Sequence, residues 1–136
     1  MPKSNFLRNE ILAGKLGTGT ITSPANLWVT LYTTDPTAGD SGTEVTGGAY
    51  ARVSTATNGT DWTASDADTW ANAVVITFPT STGAWSASAS ITHVGLRDAA
   101  TLGNLHWYSA LDVARTVTAT GVTLSFAIGA INISEA

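Results

Sequence analysis

The strongest constraint in this chain is a succession of short period-two runs joined by glycine, proline and Asn-Gly, with no helical pattern between them. Leu27, Val29 and Leu31 alternate with Trp28, Thr30 and Tyr32, so Leu27 to Thr33 predicts a strand with one aliphatic face and one aromatic, half-polar face. Tyr50 to Thr57 predicts a second strand, ended by the turn pair Asn58-Gly59. Val74 to Phe78 is a β-branched run stopped by Pro79, which reads as a buried strand. Further strands are predicted at Ile91 to Arg97, Asn104 to Ala110, Val113 to Thr120, Val122 to Ala127 and Ala130 to Ser134. Parallel pairing would require helical crossovers, which the pattern lacks. The fold class is therefore all-β, an antiparallel β-sandwich with jelly-roll or immunoglobulin-like topology.

One helix precedes the strands. Ser4 can cap it, Leu7 and Ile11 lie four apart on one face with Phe6 beside them, Leu12 follows, and Gly14 or Gly17 can end it. A helix of about ten residues is marginal alone, so it must dock on the body or on another subunit. Residues 1–23 then form a helical arm and connector, and residues 24–136 the sandwich domain. Of the chain's 136 residues none is cysteine, so neither disulfides nor thiolate metal sites contribute. Acids outnumber bases ten to six and the arginines stand singly, which argues against a nucleic-acid partner. No apolar run reaches a membrane span and the first residues lack the apolar region of a signal peptide, so a soluble protein without a membrane partner is expected.

The first and second predicted strands are joined by Gly39 to Arg52, a glycine-jointed loop that reads either as a binding loop or as a structural crossover, with the crossover favoured. Gly47 and Gly48 allow positive φ or close backbone approach. Within it, Glu44 is expected to partner Arg52 or backbone amides, while Tyr50 anchors the following strand in the core. Residues 60–72 form a polar, acidic excursion with two tryptophans. Asp61, Asp66 and Asp68 do not follow the spacing of a calcium loop, so a solvated loop pinned by its tryptophans is expected, and no metal or other cofactor. Trp28, Trp85 and Trp107 lie in or beside strands and belong with the core. Trp62 and Trp70 are the better contact-surface candidates.

Catalytic chemistry finds little support. His93 and His106 lie inside predicted strands, with no nucleophile elbow in the chain, and both read as hydrogen-bonding residues at a packed or subunit surface. Glu44, Asp98 and Asp112 each sit where a turn acid is ordinary, so a glycosidase pair is not indicated. Assembly contacts are assigned instead to Phe6, Leu7, Ile11 and Leu12 of the helix and to Trp62 and Trp70.

Several segments taken together resemble a family of small tailed-bacteriophage virion proteins. They are Leu31-Tyr32, Asp35-Pro36, Gly42 to Arg52, Ile76 to Pro79, Gly83-Ala84-Trp85, Asp98-Ala99, Gly103-Asn104-Leu105 and Arg115-Thr116-Val117. The most specific is Glu-Val-x-Gly-Gly-x-Tyr-Ala-Arg at residues 44–52; Ser86, where relatives tend to carry glycine, puts one local turn in question. Members of the family are variously labelled tail fibre, head decoration or structural protein. The resemblance implies a non-enzymatic β-sandwich component of the particle with no catalytic residues to carry over. The favoured expectation is a capsid decoration or cement protein, trimeric, that binds the major capsid protein or other virion proteins on the outer head. The alternative is a tail fibre, knob or adaptor subunit, with host glycan as a further partner. Low charge and a single small domain suit symmetric self-assembly.

Overall fold

The computed structural model describes residues 1–135. After helix α1 (Asn5–Leu16) come β1 (Asn26–Tyr32), β2 (Val53–Ala56), β3 (Trp62–Asp66), β4 (Thr69–Asn72), β5 (Ile76–Thr77), β6 (Ile91–Arg97), β7 (Leu105–Arg115), β8 (Ser125–Phe126) and β9 (Asn132–Ser134). They form a four-stranded sheet in the order β2-β1-β6-β7, a three-stranded sheet β3-β4-β9 and a two-stranded sheet β5-β8. Every strand pairing is antiparallel. The fold is the expected all-β sandwich with a short N-terminal helix.

The aliphatic face of β1 explains where the core sits. Leu27, Val29 and Leu31 are buried with Val94, Leu96 and Ile91 of β6, and this layer meets Trp62, Ile76, Phe78, Trp85 and Ile133 in one continuous cluster. Trp85 is fully enclosed. Its indole N–H donates to the Gly48 carbonyl at 2.9 Å, so the largest apolar group of the core carries a satisfied polar handle. Aromatic pairs extend from it, edge to face, to Tyr50 and Phe78 at 5.3 and 6.3 Å.

The second face of β1 is buried as well. Thr30 and Tyr32 are fully enclosed, although this face points away from the core. Residues 33–52 are folded over it, and the chain beyond Tyr32 turns back so that Glu44 bridges Tyr32 and Val45 donates to the Leu31 carbonyl at 2.9 Å. Tyr32, Leu105 and the bare Cα of Gly95 meet there, where a β-carbon on Gly95 would lie 2.9 Å from both side chains. A strand covered on both faces in an antiparallel sheet requires such a lid, because one face would otherwise be wet.

Several strand expectations are revised: Val74 to Phe78 shortens to β5, with Val75 exposed, Tyr50 to Thr57 shortens to β2, and three further differences concern the hairpin, β7 and β8. The excursion at 60–72 is a hairpin of β3 and β4, not an irregular loop. Its polar residues hid it, since every β3 residue after Trp62 is exposed and no apolar alternation could form. The expected break between Ala110 and Val113 is absent: β7 runs through Asp112 as one strand. It accommodates the extra residues as a bulge, the register shifting from His93 opposite Ala110 to Ile91 opposite Arg115. The run Val122 to Ala127 narrows to β8, though Phe78 and Ser81 amides still donate to the Leu124 and Val122 carbonyls at 2.9 Å.

Candidate functional site

Helix α1 begins where the sequence places its cap. The Ser4 hydroxyl accepts from the Leu7 amide at 3.2 Å and also donates to the Leu105 carbonyl. Pro2 to Ser4 run beside the start of β7, with the Ser4 amide donating to His106 at 2.9 Å and the Tyr108 amide donating to Pro2 at 3.2 Å. Leu7 is buried against the body, Ile11 is half-buried, and Phe6 meets the His106 ring edge to face at 5.3 Å. Leu12 and Leu16 point outward, 55% and 83% exposed. The connector returns along the helix, the Thr22 amide donating to Glu10 Oε1 at 3.0 Å.

The Gly39 to Arg52 segment holds the densest polar constellation in the molecule. Arg52 forms a two-pronged pair with Glu44, Nε to Oε1 at 2.8 Å and Nη2 to Oε2 at 2.6 Å. Its Nη1 donates to the carbonyls of Ala99 and Leu102 at 2.7 and 2.8 Å. Arg97 approaches the same β6–β7 loop from the other side, donating to the Gly103 carbonyl and Tyr32 hydroxyl at 2.9 Å and pairing with Asp40. Two guanidinium groups therefore staple the crossing loop to the loop at 98–104 through backbone oxygens. Planar five-donor forks suit this task in a way a lysine does not.

Tyr50 fills a gap in the sheet. Between Glu44 and Val53 the chain leaves the edge of β1, and the Leu31 amide is met by the Tyr50 hydroxyl at 3.0 Å. That hydroxyl donates onward to Glu44 Oε1 at 3.3 Å. Burial raises the Tyr50 pKa far above its ordinary value, and burial likewise raises Tyr32 against the opposing pull of Arg97. The Glu44 hydrogen bonds raise that of Arg52.

Gly47 and Gly48 both have positive φ. At Gly48 a β-carbon would stand 2.3 Å from the Gly83 carbonyl oxygen, so the loop can dock on residues 83–86 only with glycine there. Ser86 occupies the turn in question: it has φ 47°, and its Oγ accepts from the Thr46 amide at 3.1 Å, a bond glycine could not supply.

The remaining sequence candidates are dispersed. Trp62 is buried at 4% exposure, its Nε1 donating to the Thr55 hydroxyl at 3.0 Å, which corrects its expected place on a contact surface. The reason is that it opens β3 facing Leu27 and Ile133, where an indole has apolar neighbours. Trp70, 48% exposed, stays on the surface. Trp28 and Trp107 are only half-buried, unlike Trp85. Asp61 accepts from the Ala56 amide at 2.7 Å, while Asp66 and Asp68 lie exposed near the hairpin turn. Among the described residues no three His, Asp or Glu side chains group as a metal site would need. His93 lies 3.8 Å from Asp35, and His106 lies 3.4 Å from Asp98. Partial burial works to raise the Asp98 pKa, but bonds from Asn104 and His106 outweigh it and hold the carboxyl below its usual value. Sequence reasoning missed Arg97 and Asp40, which look like a lone cation and a turn acid until the fold joins them across 57 residues.

Between α1 with its connector and the β3–β4 hairpin lies an apolar cleft of about 310 Å³, lined by Leu7, Ile21, Leu27, Trp62, Trp70 and Trp107 among others. Compared with known protein families, residues 2–134 match the family described as Podophage GP4 fiber I protein gp80. The chain belongs to this family. It is thus a phage virion structural protein, as the sequence resemblance implied. No curated protein matches the chain. In this fibre-protein family member the segment at residues 44–52 fixes two loops to each other and to a sheet edge, and its polar groups are engaged in doing so.

Proposed function

We propose that the protein is a non-enzymatic structural subunit of a phage tail fibre, assembling with copies of itself and with other virion proteins. The carrying observation is the family match across residues 2–134, whose description names a fibre protein. That description supports the tail over the outer capsid, the location favoured by sequence alone. The geometry supports a structural role in its own way. Glu44, Arg52, Tyr50, Arg97 and Asp40 bind one another and backbone carbonyls, so the site's chemistry goes into holding shape. Gold-labelled antibody against the protein, applied to purified particles, is expected to mark tails. Label confined to heads would overturn the fibre reading. Incubation of the pure protein with host surface polysaccharide is expected to leave chain length unchanged, and released fragments would overturn the non-enzymatic part.

A further inference from the structure

The outward face of α1 and the β3–β4 hairpin carry opposite charge around exposed apolar groups. Arg8, Leu12, Lys15 and Leu16 fall at i, i+4, i+7 and i+8, so the two cations border a leucine stripe, and all four residues are exposed. Neither Arg8 nor Lys15 forms an ion pair among the described residues. The helix's acid, Glu10, is turned toward the connector, where it accepts from Thr22. This makes the outward face basic and apolar on a chain of net charge -4.

The hairpin is the reverse. Residues 60–72 contain three aspartates and no lysine or arginine. Asp61 is engaged with the Ala56 amide, whereas Asp66 and Asp68 are exposed near the turn. Trp70 presents a half-exposed ring on β4, and Thr63 to Asp66 of β3 are exposed on both faces. An indole face accepts a guanidinium or ammonium group by cation–π attraction and an aliphatic side chain by contact.

We propose that the outward face of α1 docks on the β3–β4 hairpin of a second copy of this chain, with Arg8 and Lys15 facing Asp66 and Asp68 and Leu12 and Leu16 covering Trp70. A second copy is the occupant because the chain itself supplies both charge-complementary halves. Within one copy Trp70 and Asp68 line the cleft beside Leu7, Glu10 and Ile21, whereas Arg8, Leu12, Lys15 and Leu16 take no part in that lining. The outward face of α1 therefore stays uncovered by its own hairpin and is free to meet the half-exposed Trp70 of another copy. The contact deepens the structural role proposed above by naming its partner, and it is tested in solution, where the place of the protein on the particle does not enter. Failure here would leave the fibre reading to the particle labelling.

The experiment is sedimentation velocity of the full chain across salt concentration, with charge reversal. Wild type is expected to self-associate at low salt and to weaken by at least about tenfold on moving to high salt, as exposed charge pairs are screened. Arg8→Glu with Lys15→Glu, and separately Asp66→Lys with Asp68→Lys, are each expected to stay monomeric while keeping the wild-type circular dichroism and melting curve. An equimolar mixture of the two variants should associate, because each then offers the other a complementary face. The chain carrying all four reversals should self-associate again. A monomeric wild type at low salt, reversal variants that associate as wild type does, or a mixture that fails to associate would each overturn the proposal.

Discussion

Glu44 and Arg52 show how much of this fold rests on individual side chains. Arg52 is nearly enclosed and spends its donors on Glu44 and on two loop carbonyls. Removing the carboxylate charge leaves the guanidinium among dipoles with half of its fork unmatched. Glu44→Gln is expected to cost about 1.5–3 kcal/mol, the range for hydrogen bonds to charged groups. Urea unfolding followed by tryptophan fluorescence would measure it. A loss below about 0.3 kcal/mol would mean the pair contributes only as an exposed salt bridge does.

Among the elements, the β3–β4 hairpin is held by one residue and displays another. Trp62 is buried in the core and bonded to Thr55, whereas Trp70 is half-exposed. Trp62→Ala is therefore expected to cost about 3–5 kcal/mol, and Trp70→Ala less than half of that. Equal costs in thermal or urea unfolding would refute this division. The same hairpin shows what a sequence can and cannot reveal. β1 was legible because its core face is aliphatic while its other face carries Trp28, Thr30 and Tyr32, so residue types alternate even though both faces are covered, and Ser4 was legible because a cap is a local device. β3 was not, since four of its five residues face solvent and carry no periodic signal. Its two tryptophans look alike in sequence, and only the position of β9 and β1 around them decides which is enclosed. The pairing of Glu44 with Arg52 was readable at a separation of eight residues, whereas that of Arg97 with Asp40 spans 57 and depends on the crossing of the whole loop.

For the molecule as a whole, buried phenols set an alkaline limit. Burial raises the pKa of both Tyr32 and Tyr50, so each stays neutral in the folded state at pH values where the unfolded chain would ionise. Above about pH 10 the unfolded state then binds fewer protons than the folded one, and stability falls as pH rises. Urea midpoints are expected to hold between pH 8 and about pH 9.5 and then to decline. Tyrosinate absorbance from these two residues should emerge together with the loss of near-ultraviolet circular dichroism. Their ionisation in the folded protein near pH 10 would contradict the enclosure of the two rings.

The arginine staples bear on how this protein can change over generations. Arg52 and Arg97 grip the 98–104 loop by the carbonyls of Ala99, Leu102 and Gly103, which every amino acid possesses. Two positions are exceptions: at Gly103 a β-carbon would lie 2.4 Å from Asp98, and Leu102 has φ 54°, a conformation that β-branched residues adopt only with strain. Ala100, Thr101 and the 85%-exposed Leu102 leave their side chains out of the fold's own bonding. Away from those two positions, a loop fixed through its backbone keeps its shape whatever side chains it carries, so mutation can rewrite Ala100 and Thr101 without unfolding what carries them. Variable loops on a rigid scaffold are where recognition commonly resides. In this virion protein residues 100 and 101 are the places where a side chain can change at little cost to the scaffold.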